Sequence, residues 1–204
     1  MKTLATALLI TTIPVVAAAS DRVLRADVVV PAPVAEVWKA WTTTEGITSF
    51  FAPGGAVDLR VDGTYDVWFA LDAPPGLRGA DAMRILDVDP EKRFVFTWNA
   101  PPTMPTVRAK RTVVVVDFTP VGDDRTNLRF THLGWGDGTE WDQAYEYFDR
   151  AWRVHVLPHL IYRFEKGPID WKNPPEVEPV APTIKMALAG SREDAGSEVR
   201  GDAE

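Results

Sequence analysis

The histidines at positions 132, 155 and 159 have the widest chemical repertoire in this sequence. His155 and His159 are four residues apart, so they share a face if they lie on a helix, and zinc accepts three imidazoles with water as its fourth ligand. No H-E-x-x-H pattern accompanies them, and Pro158 disturbs the helical spacing between them. We therefore expect no metal here, and the sequence indicates no other cofactor.

His132 is the candidate for acid–base chemistry. It alternates with Phe130 on a predicted strand, and an imidazole facing an aromatic interior can act as a general acid or base or can orient a ligand. Asp117 is a possible second ionisable group, but alternation groups Val116 and Phe118 on one face and places Asp117 on the other. No catalytic pair results, so a hydrogen-bonded structural role is favoured for His132 and catalysis is a weaker alternative.

The segment G-W-G-D-G at 134–138 lies between a predicted strand and a predicted helix, where a dinucleotide-binding loop would lie. It lacks the spacing of G-x-G-x-x-G, and no βαβ unit surrounds it. The segment therefore predicts a tight turn into the helix.

Apolar periodicity predicts the elements that position these residues. Residues 22–30 form a β-branched run, an amphipathic helix follows Pro33, and a second short helix begins near Thr44 as its N-cap. Period-two alternation then predicts an antiparallel meander with strands at 56–61, 64–71, 80–88, 92–98, 109–119 and 125–133.

The last predicted element is a helix from about 140 to 165. Thr139 is its predicted N-cap, and acidic residues follow in the first turn. At about 1.5 Å per residue, such a helix is nearly 40 Å long and can cross a whole sheet. Pro158 is expected to kink it near Val154.

Long apolar loops gather at one end of the predicted sheet. Connections of a meander alternate between its two ends, which places short polar turns at 62–63, 89–92 and 120–124 together. The other end receives the loops 72–79, 99–108 and 134–138. These loops predict a ligand entrance, although loops that merely cap the core would have the same composition.

The two ends of the chain differ in composition from the middle. Residues 1–19 contain Lys2, an apolar run and three alanines, the order of a secretory signal peptide, and the run is shorter than the ~20 residues of a membrane span. We expect cleavage after Ala19 and a periplasmic or secreted protein. Residues 172–204 are rich in proline, glycine and charge, which predicts a disordered tail.

Residues 20–171 are predicted to form a single domain. The sequence has 46% hydrophobic residues, eight Trp and nine Phe, enough for one sizeable core. The absence of cysteine excludes disulfides and thiol chemistry. The net charge of −7, without a basic cluster, argues against nucleic acid and anionic membrane surfaces as partners.

Several motifs occur in an order that is informative about the family. They are A-P-V-A-E-V-W-K-A-W-T at 32–42 with T-E-G-I-T-S-F-F after it, G-T-Y-D-V-W-F at 63–69, R-F-V-F-T-W at 93–98, and T-H-L-G-W-G before the last helix. Over about 24–171 the chain resembles the SRPBCC (START/Bet v 1-like) superfamily, in the branch named for the activator of heat-shock-protein-90 ATPase. The resemblance implies an α+β helix-grip fold, a curved antiparallel sheet wrapped around a long C-terminal helix.

The same resemblance implies a cavity between sheet and helix, used across the superfamily for lipids, sterols, polyketides or plant hormones. We therefore predict binding of a small hydrophobic ligand, such as a lipid, an aromatic or a polyketide-like molecule. The predicted lining is Phe69, Trp98, His132, Tyr145, Phe148 and Trp152.

Two alternatives stay open. One is an enzyme of the cyclase, aromatase or hydrolase type with His132 as acid or base, although the branch supplies no shared catalytic motif. The other is a protein-interaction module similar to a co-chaperone. The cytosolic chaperone partner of the family's namesake is not expected for an exported chain.

Overall fold

The computed structural model describes residues 22–181 and the backbone of residues 186–187. The predicted signal peptide, its cleavage site and most of the predicted tail lie outside the described residues. Within the described part of the chain, no helix is both long and apolar enough to cross a membrane.

The described chain folds into two antiparallel sheets and a set of helices. In chain order the elements are β1 (Arg22–Val30), α1 (Val34–Thr42), α2 (Thr44–Phe50), β2 (Gly54–Val57), β3 (Tyr65–Trp68), β4 (Gly79–Ala80), β5 (Ile85–Asp89), β6 (Arg93–Trp98), α3 (Pro105–Arg108), β7 (Thr112–Val121), β8 (Arg125–Leu133), α4 (Thr139–Ala151), a π-helical turn (Trp152–Val156), α5 (Leu157–Lys166) and β9 (Met186–Ala187).

The large sheet has the strand order β5-β6-β7-β8-β1-β9, and the small sheet has the order β2-β3-β4. The predicted meander is thus divided, with one isolated bridge between Thr64 and Arg84 joining its halves. The predicted strand 80–88 is interrupted because Ala82 has a positive φ of 61°, which a strand residue does not adopt. The Ala82 N–H instead donates to the Asp66 carboxylate at 2.7 Å.

The inward faces of β6, β7 and β8 form the core. Val114, Val116 and Phe118 are buried on one face of β7, as alternation predicted. Asp117 lies on the opposite face, where its carboxylate pairs with the Arg93 guanidinium at 2.7 Å. Asp117 is therefore separated from the interior by the sheet.

The C-terminal helix runs from Thr139 to Lys166 with one irregularity, a π-helical turn at 152–156. The Leu157 N–H donates to the Trp152 carbonyl five residues earlier, and the next residue, Pro158, has no N–H. The distortion expected near Val154 therefore takes the form of a π turn. With its long helix against the large sheet, the chain has the predicted helix-grip fold.

Two predicted helix caps are wrong. The N-cap of α4 is Gly138, with φ at 105° and no side-chain hydrogen bond, so Thr139 is already helical. The carboxylate of Glu140 instead accepts the Val107 N–H at 2.7 Å, which ties α3 to α4. The N-cap of α2 is Thr43, one residue before the predicted Thr44, because its hydroxyl accepts the Gly46 N–H at 2.9 Å.

Candidate functional site: an aromatic cavity beside the long helix

A cavity of about 1050 Å³ lies between the C-terminal helix, the end of β6 and the loops that follow β3 and β6. Its volume is at the upper end of the range of small-molecule sites. Its lining is mostly apolar and comes from five parts of the chain. These parts are Phe51, Phe69–Ala80, Trp98–Pro102, the helix face from Tyr147 to His159, and Trp171–Pro179.

Aromatic rings form the inner wall of the cavity. The Trp98 ring stacks on Phe51 at 5.5 Å between centroids and lies 5.5 Å from Trp152. Phe148 stacks on Trp152 from the preceding helical turn, at 6.4 Å. Rings from a strand, a helix and a loop thus meet at one surface, and this surface suits a flat or branched apolar molecule.

Four of the six predicted lining residues border the cavity: Phe69, Trp98, Phe148 and Trp152. Phe69 is half exposed and lies 6.1 Å from the Phe51 ring. Alternation along β6 and helical spacing in the last helix therefore placed Trp98, Phe148 and Trp152 on the inward surface. Phe51, at the end of the second short helix, also lines the cavity and was not among the predicted site residues.

His132 does not line the cavity; it is fully buried behind the aromatic wall. Its Nδ1 accepts the Trp152 indole N–H at 3.1 Å, so Nε2 carries the ring hydrogen and donates to the Thr112 hydroxyl at 2.7 Å. The Thr112 hydroxyl donates in turn to the Trp98 carbonyl at 3.2 Å. Burial lowers the pKa of His132 to about 3. The ring is a neutral link between the two tryptophans of the cavity wall.

Tyr145 also lies away from the cavity. It is buried, its hydroxyl donates to the Val23 carbonyl at 3.2 Å, and its ring packs edge-on against Trp135 at 5.1 Å. Helical spacing put Tyr145 on the buried face correctly, but that face covers more of the sheet than the cavity does. Of the predicted lining residues, His132 and Tyr145 therefore contribute packing behind the wall.

The loop 134–138 does not contribute to the cavity, contrary to the prediction for the entrance. Trp135 inserts into the core, where its indole N–H donates to the His132 carbonyl at 3.0 Å. Gly136 lies so close to the Trp141 ring that a Cβ would be 2.5 Å from it. The segment is thus a packed turn into α4, with glycine required at a close approach.

The other two predicted entrance loops do border the cavity, and ion pairs and hydrogen bonds fix their shape. The Asp81 carboxylate accepts the backbone N–H groups of Gly76 and Gly79 at 3.2 and 3.0 Å and the Arg78 Nε at 3.2 Å. The Arg108 guanidinium donates to the carbonyls of Gly79 and Ala100. One arginine therefore ties the loop after β3 to the loop after β6.

Residues 171–181, named here the strap, form the remaining wall. The Trp171 indole N–H donates to the Thr48 carbonyl at 2.6 Å. Beyond it the chain forms a turn and then has no regular secondary structure, with Pro175 and Val177 partly buried and Glu176 and Glu178 exposed. The described chain thus continues across the cavity for ten residues after the predicted domain boundary at 171. The rest of the predicted tail, residues 182–204, lies outside the described residues apart from the backbone of 186–187.

The strap is held by a backbone group that the helix leaves free. The Leu157 N–H donates to the Trp152 carbonyl, and Pro158 has no N–H. Neither residue therefore donates to the Arg153 carbonyl. The Val180 N–H fills that acceptor at 3.0 Å. The π turn and the proline therefore create the attachment point of the strap.

His155 and His159 both border the cavity, with ring centroids 6.4 Å apart. The His159 ring packs edge-on against Trp171 at 5.8 Å, and burial lowers its pKa. Among the described residues there is no group of three side chains placed to hold a metal ion. The two histidines therefore add polar groups to the helix side of a mostly apolar cavity.

Comparison with known proteins places the fold in a family. The sequence model described as "Activator of Hsp90 ATPase homolog 1-like protein" matches residues 31–158. A search of curated proteins returns no significant match.

Solved structures share the fold at low sequence identity. A protein from Mesorhizobium loti is 21% identical, with a TM-score of 0.53 over 71% of this chain and 95% of that chain. The solution structure of the Aha1 dimer from Colwellia psychrerythraea is 18% identical, with a TM-score of 0.54 over 71% and 97%. An Hsp90 activator from Plasmodium falciparum is 18% identical, with a TM-score of 0.52 over 69% and 94%. Likenesses at this identity concern the fold alone.

Proposed function

This chain belongs to the family of activator of Hsp90 ATPase homolog 1-like proteins, and we propose that it is an exported binding protein for a small hydrophobic molecule. The observation that carries the proposal is the cavity of about 1050 Å³ with its wall of aromatic rings. Burying ~300 Å² of apolar ligand surface at ~25 cal/mol per Å² contributes about 7 kcal/mol before the costs of association. Binding without a reaction is sufficient to explain such a site.

The enzyme alternative assigns the role of acid or base to His132, which has no access to the cavity in this geometry. His132 is fully buried, does not border the cavity, and already has hydrogen-bond partners on both ring nitrogens. A general acid or base has to reach the atom that gains or loses the proton. The arrangement of His132 supports binding over catalysis.

The activation of Hsp90 that gives the family its name is not proposed for this chain. The N-terminal segment supports export, which would separate the protein from a cytosolic chaperone. The co-chaperone-like module of the sequence analysis would need a protein-binding surface, whereas the feature that stands out is an apolar cavity.

The test is recovery and displacement of a ligand. Organic extraction of the purified mature protein followed by mass spectrometry should release a hydrophobic molecule, and addition of an apolar fluorophore should change the emission of Trp98 and Trp152. Ala151 borders the cavity, so Ala151→Phe should fill part of it and weaken fluorophore binding at least about tenfold.

The matched control is Ala109→Phe, which adds the same ring at an exposed position outside the cavity. This variant should bind the fluorophore like the parent protein. The proposal fails if nothing is extracted and no apolar fluorophore binds, or if both variants bind equally well.

A further inference from the structure

The hairpin loop between β3 and β4, residues 69–79, presents apolar side chains to solvent beside the cavity. Phe69, Leu71 and Leu77 are each about half exposed. The segment that contains them, F-A-L-D-A-P-P-G-L, has one charged residue, Asp72. Phe69 and Leu77 also border the cavity. A cluster of exposed apolar side chains at the edge of a cavity indicates a surface that contacts a partner.

The polar backbone groups of the hairpin loop are largely paired within the protein. The N–H groups that donate within the loop or to the Asp81 carboxylate are those of Phe69, Ala70, Ala73, Gly76, Leu77 and Gly79. Pro74 and Pro75 have no N–H, and the Arg108 guanidinium donates to the carbonyls of Gly76 and Gly79. A segment of this kind can leave water at low cost, which is the condition for contact with lipid.

The charges of the hairpin loop favour a partner without net charge. The Arg78 guanidinium is occupied, because it pairs with Asp81 and lies 3.9 Å from the centroid of the Trp68 ring. Asp72 is exposed, and together with the net charge of −7 it repels anionic groups. Zwitterionic lipid headgroups meet neither a free cation nor a repelling field of their own sign here.

The exposed surface of the hairpin loop is small for a protein partner. Three half-exposed apolar side chains offer roughly 300 Å², whereas a stable protein–protein interface buries ~800 Å² on each partner. A lipid surface has no such minimum, because binding strength scales with the apolar area that enters it. The area therefore favours a lipid surface over a second copy of the chain.

From these features we propose that the hairpin loop contacts the surface of a zwitterionic lipid bilayer and that Phe69, Leu71 and Leu77 enter it. The contact is shallow and reversible, and it brings the edge of the cavity to the membrane. The inference goes beyond the proposed function, since it assigns the bilayer as the place where a hydrophobic ligand is taken up or released. A poorly soluble molecule then passes between lipid and cavity without crossing water.

The experiment measures flotation of the mature protein with large unilamellar vesicles of phosphatidylcholine. The parent protein should float with the vesicles. Leu71→Asp should lower the partition coefficient at least about tenfold, because it replaces an exposed apolar side chain with a charge. Leu71 does not border the cavity, so this variant should bind an apolar fluorophore like the parent protein.

The matched control is Leu59→Asp, the same substitution at an exposed position in the connection before β3, at the opposite end of that strand. This variant should float like the parent protein, and thermal unfolding checks that both variants are folded. If the two variants float equally well, the hairpin loop is not the contact. If the parent protein binds the fluorophore but not the vesicles, the membrane contact is wrong and the binding function stands. Flotation without fluorophore binding would leave the membrane contact and remove the binding function.

Two further results would overturn the assignment of the partner. Flotation that requires added phosphatidylglycerol would assign the contact to the exposed cations Lys110 and Arg111. A parent protein that is dimeric in solution and becomes monomeric on Leu71→Asp would assign the hairpin loop to a second copy of the chain.

Discussion

His132 connects the two tryptophans that form the cavity wall. The Trp152 indole N–H and the Thr112 hydroxyl occupy its two ring nitrogens, and Thr112 continues to the Trp98 carbonyl. Because Trp152 lies on the C-terminal helix and Thr112 and Trp98 lie on strands, the His132 imidazole fixes the position of the helix relative to the sheet. A neutral ring is required, since Nδ1 accepts a hydrogen bond and cannot carry a proton at the same time.

This arrangement predicts a pH dependence of stability. The pKa of His132 is about 3 in the folded protein and about 6.5 in the unfolded chain, so between these values only the unfolded chain binds the proton. The stabilisation is fully present above pH 6.5 and falls by about 1.4 kcal/mol per pH unit as the pH decreases toward 3. Urea unfolding should show roughly half of this slope between pH 7 and 6 and nearly all of it between pH 6 and 5, and His132→Gln should remove this contribution.

A matched control separates this slope from a general loss of stability. Leu128 is buried on the same strand, and Leu128→Ala should lower the free energy of unfolding by roughly 2–5 kcal/mol at every pH. Its slope should equal that of the parent protein. Equal slopes in His132→Gln and the parent protein would show that folding does not lower the pKa of His132, contrary to the prediction.

At the scale of elements, the C-terminal helix joins the core to the strap. Its π turn places Trp152 against Trp98 and at the same time leaves the Arg153 carbonyl to accept the Val180 N–H. Two neighbouring residues of this turn thus have different roles: Trp152 forms part of the cavity wall, and Arg153 binds the strap. The Trp171 indole N–H, which donates to the Thr48 carbonyl, holds the start of the strap, and the Val180 N–H holds its far end.

The strap should slow the release of a bound molecule. Val180→Pro removes the N–H that the Arg153 carbonyl accepts, and a lost hydrogen bond of about 1 kcal/mol corresponds to roughly fivefold faster dissociation of a bound apolar fluorophore in stopped-flow measurements. Ala181→Pro introduces the same residue one position later and keeps the Val180 N–H, so it should dissociate like the parent protein. Identical rates in all three proteins would mean that the strap does not control release.

Much of this arrangement could be predicted from periodicity, and the exceptions have physical causes. Alternation correctly placed Trp98 on the inward face and Asp117 on the outward face, because successive side chains of a strand point to opposite faces of the sheet. The strap has no such period, and its prolines and charges predict disorder. The sequence does not show that the Arg153 carbonyl lacks a donor within its own helix and can accept the Val180 N–H. Burial alone could not distinguish Tyr145 from Trp152, because core and cavity wall share one helix face.

At the scale of the whole molecule, the apolar cavity is combined with an acidic net charge. The net charge of −7 and the exposed glutamates of the strap oppose binding of anionic surfaces and polyanions, while the lining of the cavity is mostly apolar. Under the proposed function, this charge would keep a protein that holds a hydrophobic ligand away from anionic membranes and nucleic acid. Fold and charge therefore support the same proposal as the cavity.

The proposed export of the protein can be tested by changing residues of the predicted signal peptide, 1–19. Processing after Ala19 requires small side chains at the first and third residues before the cut, Ala19 and Ala17, whereas the residue between them is not restricted. Expressed in full in a Gram-negative host, the chain should be recovered from the periplasm beginning at Ser20, as mass spectrometry would show. Ala19→Asp should accumulate as an uncleaved precursor, and Ala18→Asp should be processed normally. A cytoplasmic protein that keeps residues 1–19 would contradict export, and the cavity would then serve a ligand inside the cell.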